Sequence, residues 1–268
     1  MRIRVVDAFA ARPFTGNPAA VCLFDAGEWP DEAWLQAVAT EMNHAETAFA
    51  RPSERADADW DLRWFTPTNE EVLCGHATLA TTHALAADGK VSGKVGFATL
   101  SGILVATVED DGIRLDFPVN RPFEVPVPDG LAASLAVEPL EVYVAGELRD
   151  LLVVVRDEAT VRAVVPDYDA MAGIIRREKL RGVIVTAQGS EYDFVSRFFA
   201  PGSGIPEDPV TGSAHTSLAP YWGERLGRNE LVGYQASARG GVVQVSSSGD
   251  RVYLKGQAIT VLDGELLV

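Results

Sequence analysis

Two stretches of this chain can be laid over each other, and that overlay decides the fold. The first runs Arg63-Trp64-Phe65-Thr66-Pro67, a loop, then Gly75-His76-Ala77-Thr78; the second runs Arg197-Phe198-Phe199-Ala200-Pro201, a loop, then Gly212-Ser213-Ala214-His215. Each is an Arg-aromatic strand end stopped by proline, followed by a glycine-led helix. Proline-free helical spacing carries the first helix over 75–87, and the second is expected over 212–225. Upstream of the first copy, strands are expected over 3–8 and 19–24, a helix over 31–42 and a strand near Thr47. Upstream of the second, strands are expected over 142–144, 151–155 and 182–186, with a helix over 169–177. A hairpin follows each glycine-led helix. The first alternates through Ile103, Val105 and Thr107 to a turn at Asp111-Gly112, then through Ile113, Leu115 and Phe117. The second joins 242–245 to 252–254, and a last strand is expected over 259–262. The chain therefore reads as an internal repeat of half its length: an α+β protein of two pseudo-symmetric lobes, 1–117 and 118–257, with a cleft between them as the expected ligand site.

Composition bounds the function. The 268 residues carry 23 Lys+Arg against 38 Asp+Glu, a net charge of −15, and the four lysines form no cluster. That excludes the basic stripe of a nucleic-acid binder and attraction to an anionic membrane surface. No apolar run reaches the roughly 18–20 residues of a membrane span, and Asp7 and Arg12 interrupt any leader-like segment, so the expected location is the cytoplasm. Two cysteines, Cys22 and Cys74, imply no disulfide framework.

The chemistry-bearing residues gather at the two helix starts, in Cys74-Gly75-His76 and in Asp208-Pro209-Val210-Thr211-Gly212-Ser213-Ala214-His215. Glycine lets the backbone approach a ligand, and free first-turn N–H groups attract an anion. A small carboxylate is the natural guest, although Asp208 or Ser213 could simply cap the second helix. A third segment holds Glu46 between apolar neighbours; carboxylates in such surroundings can exchange protons near neutrality. His76 and His83 stand seven apart, too far for the usual i, i+4 ligand pair, and no metal site is expected.

With these residues in view, the chain resembles the PhzF family of phenazine biosynthesis-like isomerases, which shares its fold with diaminopimelate epimerase. The resembling stretches are VDAFAARPFTGNPAAV (6–21), NHAETAF (43–49), RWFTPTNEEVLCGHATLA (63–80) and FFAPGSGIPEDPVTGSAHTSLAPYW (198–222). CGHATLA and DPVTGSAH set it nearer the broad PhzF-like group than the phenazine enzyme itself. The resemblance implies lobes in which a mainly antiparallel, barrel-like sheet surrounds a central helix, with the last strand, about 258–268, returning to the first lobe. It implies a homodimer and no cofactor. Residue by residue, it implies Glu46 as the proton-shuttling acid/base, His76 as the residue holding or protonating substrate, and Asp208 binding an amino or hydroxyl group. Gly75, Gly212 and Ser213 would bind the substrate. Epimerases of the shared fold use a thiol at each helix start; here Cys74 is matched by Thr211, whose hydroxyl is far too weak an acid for that role.

The function expected is thus cofactor-independent proton transfer between carbons of a small carboxylate-bearing metabolite. Two other readings stand beside it: a serine hydrolase using Ser213, His76 and Asp208, and a non-catalytic binder of small acids. Against the hydrolase, Ser213 lies in no Gly-x-Ser-x-Gly elbow.

Overall fold

The structure, a computed structural model, describes residues 1–267. Val268, the end of the segment expected to form the last strand, lies outside the described residues. The chain divides into two compact units: Met1–Phe117 together with the segment from Tyr253 on, and Pro118–Val252.

The first unit contains β1 (Arg2–Ala8), β2 (Asn17–Leu23), α1 (Glu32–Met42), β3 (Glu46–Pro52), β4 (Trp60–Phe65), β5 (Glu70–Glu71), α2 (Gly75–Ala87), β6 (Lys94–Thr99), β7 (Gly102–Glu109) and β8 (Gly112–Pro118). The second contains β9 (Pro122–Glu124), α3 (Leu131–Leu135), β10 (Glu141–Ala145), β11 (Asp150–Val154), α4 (Glu158–Ala163), α5 (Tyr168–Glu178), β12 (Val183–Gln188), β13 (Phe194–Ala200), β14 (Ile205–Asp208), α6 (Gly212–Leu226), β15 (Glu230–Gln235) and β16 (Gly241–Ser248). The unit boundary falls inside β17 (Arg251–Gly256), and β18 (Ala258–Glu265) pairs antiparallel with β1.

The repeat in the sequence is a repeat in strand pairing. In the first unit β1–β2 is antiparallel, β2–β3 parallel, β3–β4 antiparallel, β4–β6 parallel and β6–β7 antiparallel. In the second, β10–β11, β11–β12, β12–β13, β13–β15 and β15–β16 follow the same alternation. Each long helix sits between the fourth strand of its series and the next strand paired in parallel, because a parallel partner requires a crossover.

Helix α2 packs against β1, β2, β3, β7 and β18, which lie at both ends of the strand order, so the first unit's sheet curls around it. Ala77, Ala80 and Ala84 keep the helix thin enough to be enclosed, and the hydroxyls of Thr78, Thr81 and Thr82 donate to the carbonyls four residues back. That pairing lets three threonines be buried without orphaned donors. Helix α6 is enclosed in the second unit by different means. Trp222 stacks on Phe194 of β13 and donates from Nε1 to Thr186 Oγ1 of β12. Pro220 sits inside α6 and cannot donate to the carbonyl of Thr216; the N–H of Asn120 takes that acceptor at 3.2 Å instead.

One expectation is corrected. The β7–β8 hairpin turns on Asp110-Asp111, not Asp111-Gly112, because Gly112 pairs with Glu109. Gly112 adopts φ 156° and a Cβ there would stand 2.8 Å from the Gly256 carbonyl oxygen, so glycine serves a close approach within the strand rather than the turn. Among the described residues, no helix is long and apolar enough to cross a membrane.

Candidate active site

The site residues of the first unit come together at one end of α2. Asn43 closes α1 in a left-handed conformation, φ 50°, and the chain re-enters the sheet with Glu46 as the first residue of β3, opposite Ala19 of β2. Cys74 is extended, φ −141°, and Gly75 opens α2. His76 then lies between two neighbours: its Nδ1 is 3.5 Å from Cys74 Sγ, and its Nε2 is 3.1 Å from Glu46 Oε2. The side chains of His76 and Glu46 are only 5% and 13% exposed. The Glu46–His76 contact is close but not aligned as a hydrogen bond, and both facing atoms are buried without a hydrogen-bond partner.

Burial alone disfavours a charged imidazole, but the Cys74 sulfur and the Glu46 carboxylate flanking the ring outweigh it, holding His76 well above the ordinary histidine value. Burial first, and the Glu46 charge second, push the Cys74 thiol up to about 11. The imidazolium is thus held by the Cys74 sulfur and the Glu46 carboxylate together. Glu46, Cys74 and His76 offer one ligand atom each within 4.8 Å, a set a zinc-like ion accepts. The ring turns a different nitrogen to each neighbour, the arrangement of a proton relay. A metal would have to gather three atoms around one point and displace the proton of an unfavourable thiol.

The second unit gathers Asp208, Gly212 and Ser213 at the start of α6. Asp208, 8% exposed, ends β14, and its Oδ2 accepts a 2.5 Å hydrogen bond from Thr211 Oγ1. Gln235, fully buried at the end of β15, fastens the loop between them. Its Nε2 donates to the Asp208 carbonyl at 2.8 Å and to Thr211 Oγ1 at 3.1 Å, and its Oε1 accepts the Thr211 N–H at 2.9 Å. Ser213 Oγ accepts from Arg181 Nη1 at 2.9 Å. His215 is fully buried, its Nδ1 is 2.8 Å from the Thr211 carbonyl oxygen, and burial pushes it down to about 4, so it is neutral. With a carbonyl as its partner, Nδ1 carries the proton. Gln235 and Arg181 were not among the residues singled out from sequence; only their long-range partners reveal them.

Both helix starts differ in one respect from α1, α4 and α5, although the short α3 shares their lack of a side-chain cap and of a first-turn acid. Helices α1, α4 and α5 are each capped by an aspartate side chain (Asp31, Asp157, Asp167) and carry an acid in the first turn. Helices α2 and α6 have neither a side-chain cap nor a first-turn acid. Asp208 and Ser213 do not cap α6: its N-cap is Thr211, whose hydroxyl is turned to Asp208. The first-turn N–H groups and the positive end of each helix dipole remain available to an external anion.

The sequence profile of the phenazine biosynthesis-like proteins matches residues 6–264. A Pseudomonas aeruginosa protein named an uncharacterized isomerase is 48% identical over 262 residues, covering 97% of this chain and 96% of its own. A Halalkalibacterium halodurans protein, also named an uncharacterized isomerase, is 45% identical and covers 99% and 98%. The crystal structure of a PhzF-family phenazine biosynthesis protein from Enterococcus faecalis superimposes with a TM-score of 0.91 at 41% identity, covering 100% of this chain and 99% of that one. With the paired topology and the two uncapped helix starts already in place, these likenesses establish that the chain belongs to the phenazine biosynthesis-like PhzF family, among relatives named as isomerases.

Proposed function

We propose that this protein is a cofactor-independent isomerase that moves a proton between carbons of a small carboxylate-bearing metabolite, with Glu46 as general acid/base. The observation that carries the reading is the buried Glu46–His76 pair, whose facing atoms lie 3.1 Å apart and lack hydrogen-bond partners. Buried polar groups left unsatisfied are costly, and a bound substrate is what would satisfy them.

The chemistry balances without an electron acceptor. The Glu46 carboxylate takes a proton from a carbon adjacent to an unsaturated system. The C–H electron pair moves into that system, and negative charge builds towards the substrate carboxylate. First-turn amides at Gly75 and Gly212 with the Ser213 hydroxyl hold that charge, as preorganised dipoles do in a site that excludes water. Glu46 then returns the proton to a different carbon, so one C–H bond breaks, one forms and the double bond shifts. His76, held protonated beside Glu46, faces the reacting group. Asp208, steadied by Thr211 and Gln235, takes a substrate amino or hydroxyl group. In this proposal the enzyme works as a homodimer in the cytoplasm.

The hydrolase reading is weakened by the partner of Ser213. Arg181 donates to Ser213 Oγ and has no lone pair with which to take its proton. A two-thiol racemisation is weakened by Cys74 at about 11 and Thr211 opposite it in the repeat.

The test is a screen of small unsaturated carboxylic acids incubated with the protein in deuterated water and read by NMR. Isomerisation that persists in Cys74→Ala and disappears in Glu46→Gln and Asp208→Ala supports the proposal. Turnover retained by Glu46→Gln overturns it, and so does ligand binding with no product from any acid in the screen.

A further inference from the structure

We propose that Arg181 is the positioning residue of the anion site at the start of α6: anchored by Asp150, it fixes the direction in which the Ser213 hydroxyl donates. Arg181 precedes β12, and its Nη1 meets Ser213 Oγ at 2.9 Å. A guanidinium has five N–H donors and no acceptor, so at this contact the serine oxygen can only accept. The hydroxyl hydrogen is thereby turned away from Arg181. It is left as a donor for a group other than Arg181, and Ser213 is only partly buried.

The guanidinium is itself held from two directions. Asp150, the fully buried first residue of β11, binds it through both carboxylate oxygens, at Nε (2.8 Å) and at Nη2. Its plane lies over the Phe198 ring of β13, 5.3 Å from the centroid. A bidentate fork and an aromatic platform leave the group little freedom, which is the advantage of arginine over lysine at such a place. The result is a fixed guanidinium, paired with the Asp150 carboxylate, beside a helix N-terminus that has no acid in its first turn. A hydroxyl polarised by a neighbouring cation makes a stronger, charge-assisted hydrogen bond to a carboxylate. Arg181 therefore acts on the ligand through Ser213, and the ligand class it favours is the monoanionic carboxylate.

This inference rests on the reading of the α6 start as a carboxylate site, so its test separates the two. The probe is benzoate, titrated into 15N-labelled full-length protein while the amide signals of Gly212 and Ser213 are followed. Because Arg181→Met alone would strand a buried carboxylate, the variant is Arg181→Met with Asp150→Asn; Arg181→Lys is the conservative companion. The expected result is a loss of benzoate affinity of about tenfold in the double variant, with most of it recovered in Arg181→Lys. In a Ser213→Ala background the same double change should cost less than about twofold, because groups acting through one another are not additive. Unchanged affinity in a natively folded double variant overturns the proposal, as does a full tenfold loss in the Ser213→Ala background. If benzoate moves neither amide in the wild-type protein, the carboxylate-site reading itself fails and takes this inference with it.

Discussion

His76 Nε2 faces Glu46 Oε2 across 3.1 Å, and the carboxylate counts among the groups that raise the histidine above its ordinary value. The imidazole should therefore stay protonated at pH values where a free histidine is neutral. In Glu46→Gln the supporting charge is gone and burial remains, so the His76 pKa should fall. Histidine side-chain NMR across a pH series measures both, and an unchanged titration in the variant would show that Glu46 does not govern the ring.

The sign of the stability effect follows from the same shift. His76 is raised in the folded state, so its contribution is fully present below the unfolded value of about 6.5 and is lost as pH rises through the folded value. His76→Gln should flatten that alkaline limb of a urea-unfolding series.

His215 has the opposite sign. Its folded value is pushed down to about 4, so the unfolded chain takes up a proton first. Stability is intact above about pH 6.5 and is lost as pH falls towards 4, by a total of about 3 kcal/mol below that range. His215→Phe keeps the ring packing against Phe194 and removes the proton uptake. Its unfolding free energy should vary less between pH 7 and pH 4 than that of the wild type.

Gln235 uses its amide on both sides of the loop that carries Asp208. Gln235→Leu would strip the Thr211 N–H and the Asp208 carbonyl of the hydrogen bonds that Gln235 makes to them. Two such groups cost about 3 kcal/mol together, to be read as a lower urea midpoint at unchanged m-value. If Asp208 orients substrate, kcat should fall in the same variant even at temperatures where it is fully folded.

Gly16 precedes β2 at φ 69°, and a Cβ there would lie 2.2 Å from the Ala8 carbonyl oxygen and 2.9 Å from Ala10 Cβ. Gly89 has a similar φ of 66° but nothing within 4 Å. Gly89→Ala should cost about 1 kcal/mol from backbone strain alone, and Gly16→Ala about 3 kcal/mol or more, because backbone must move. Comparable losses in a denaturant series would remove steric crowding as the reason for glycine at 16.

Much of the element order was legible. Both long helices begin at the glycines marked in the sequence, and the strands of the first half fall close to where apolar alternation places them. The omissions have local causes. β6 and β15 each contain an interior glycine, Gly96 and Gly233, which weakens a strand signal. At 233 the glycine is a packing solution: a Cβ would strike the Phe194 ring at about 2.4 Å. Helices α3 and α4 are five and six residues long, too short to show a period.

The sequence by itself determined the α+β class, the duplication and the short motifs that carry Glu46, His76, Asp208 and Ser213, because those signals are local: a glycine at a helix start, a proline at a strand end, alternation along a strand. Only the tertiary structure brought Glu46 to His76 across 30 positions, set Arg181 between Asp150 and Ser213, and closed Gln235 over the Asp208 loop. A lone arginine before a strand, or a glutamine at a strand end, has no distinguishing pattern. Its role is created when strands far apart in sequence are paired and the water around its polar atoms is replaced by specific partners.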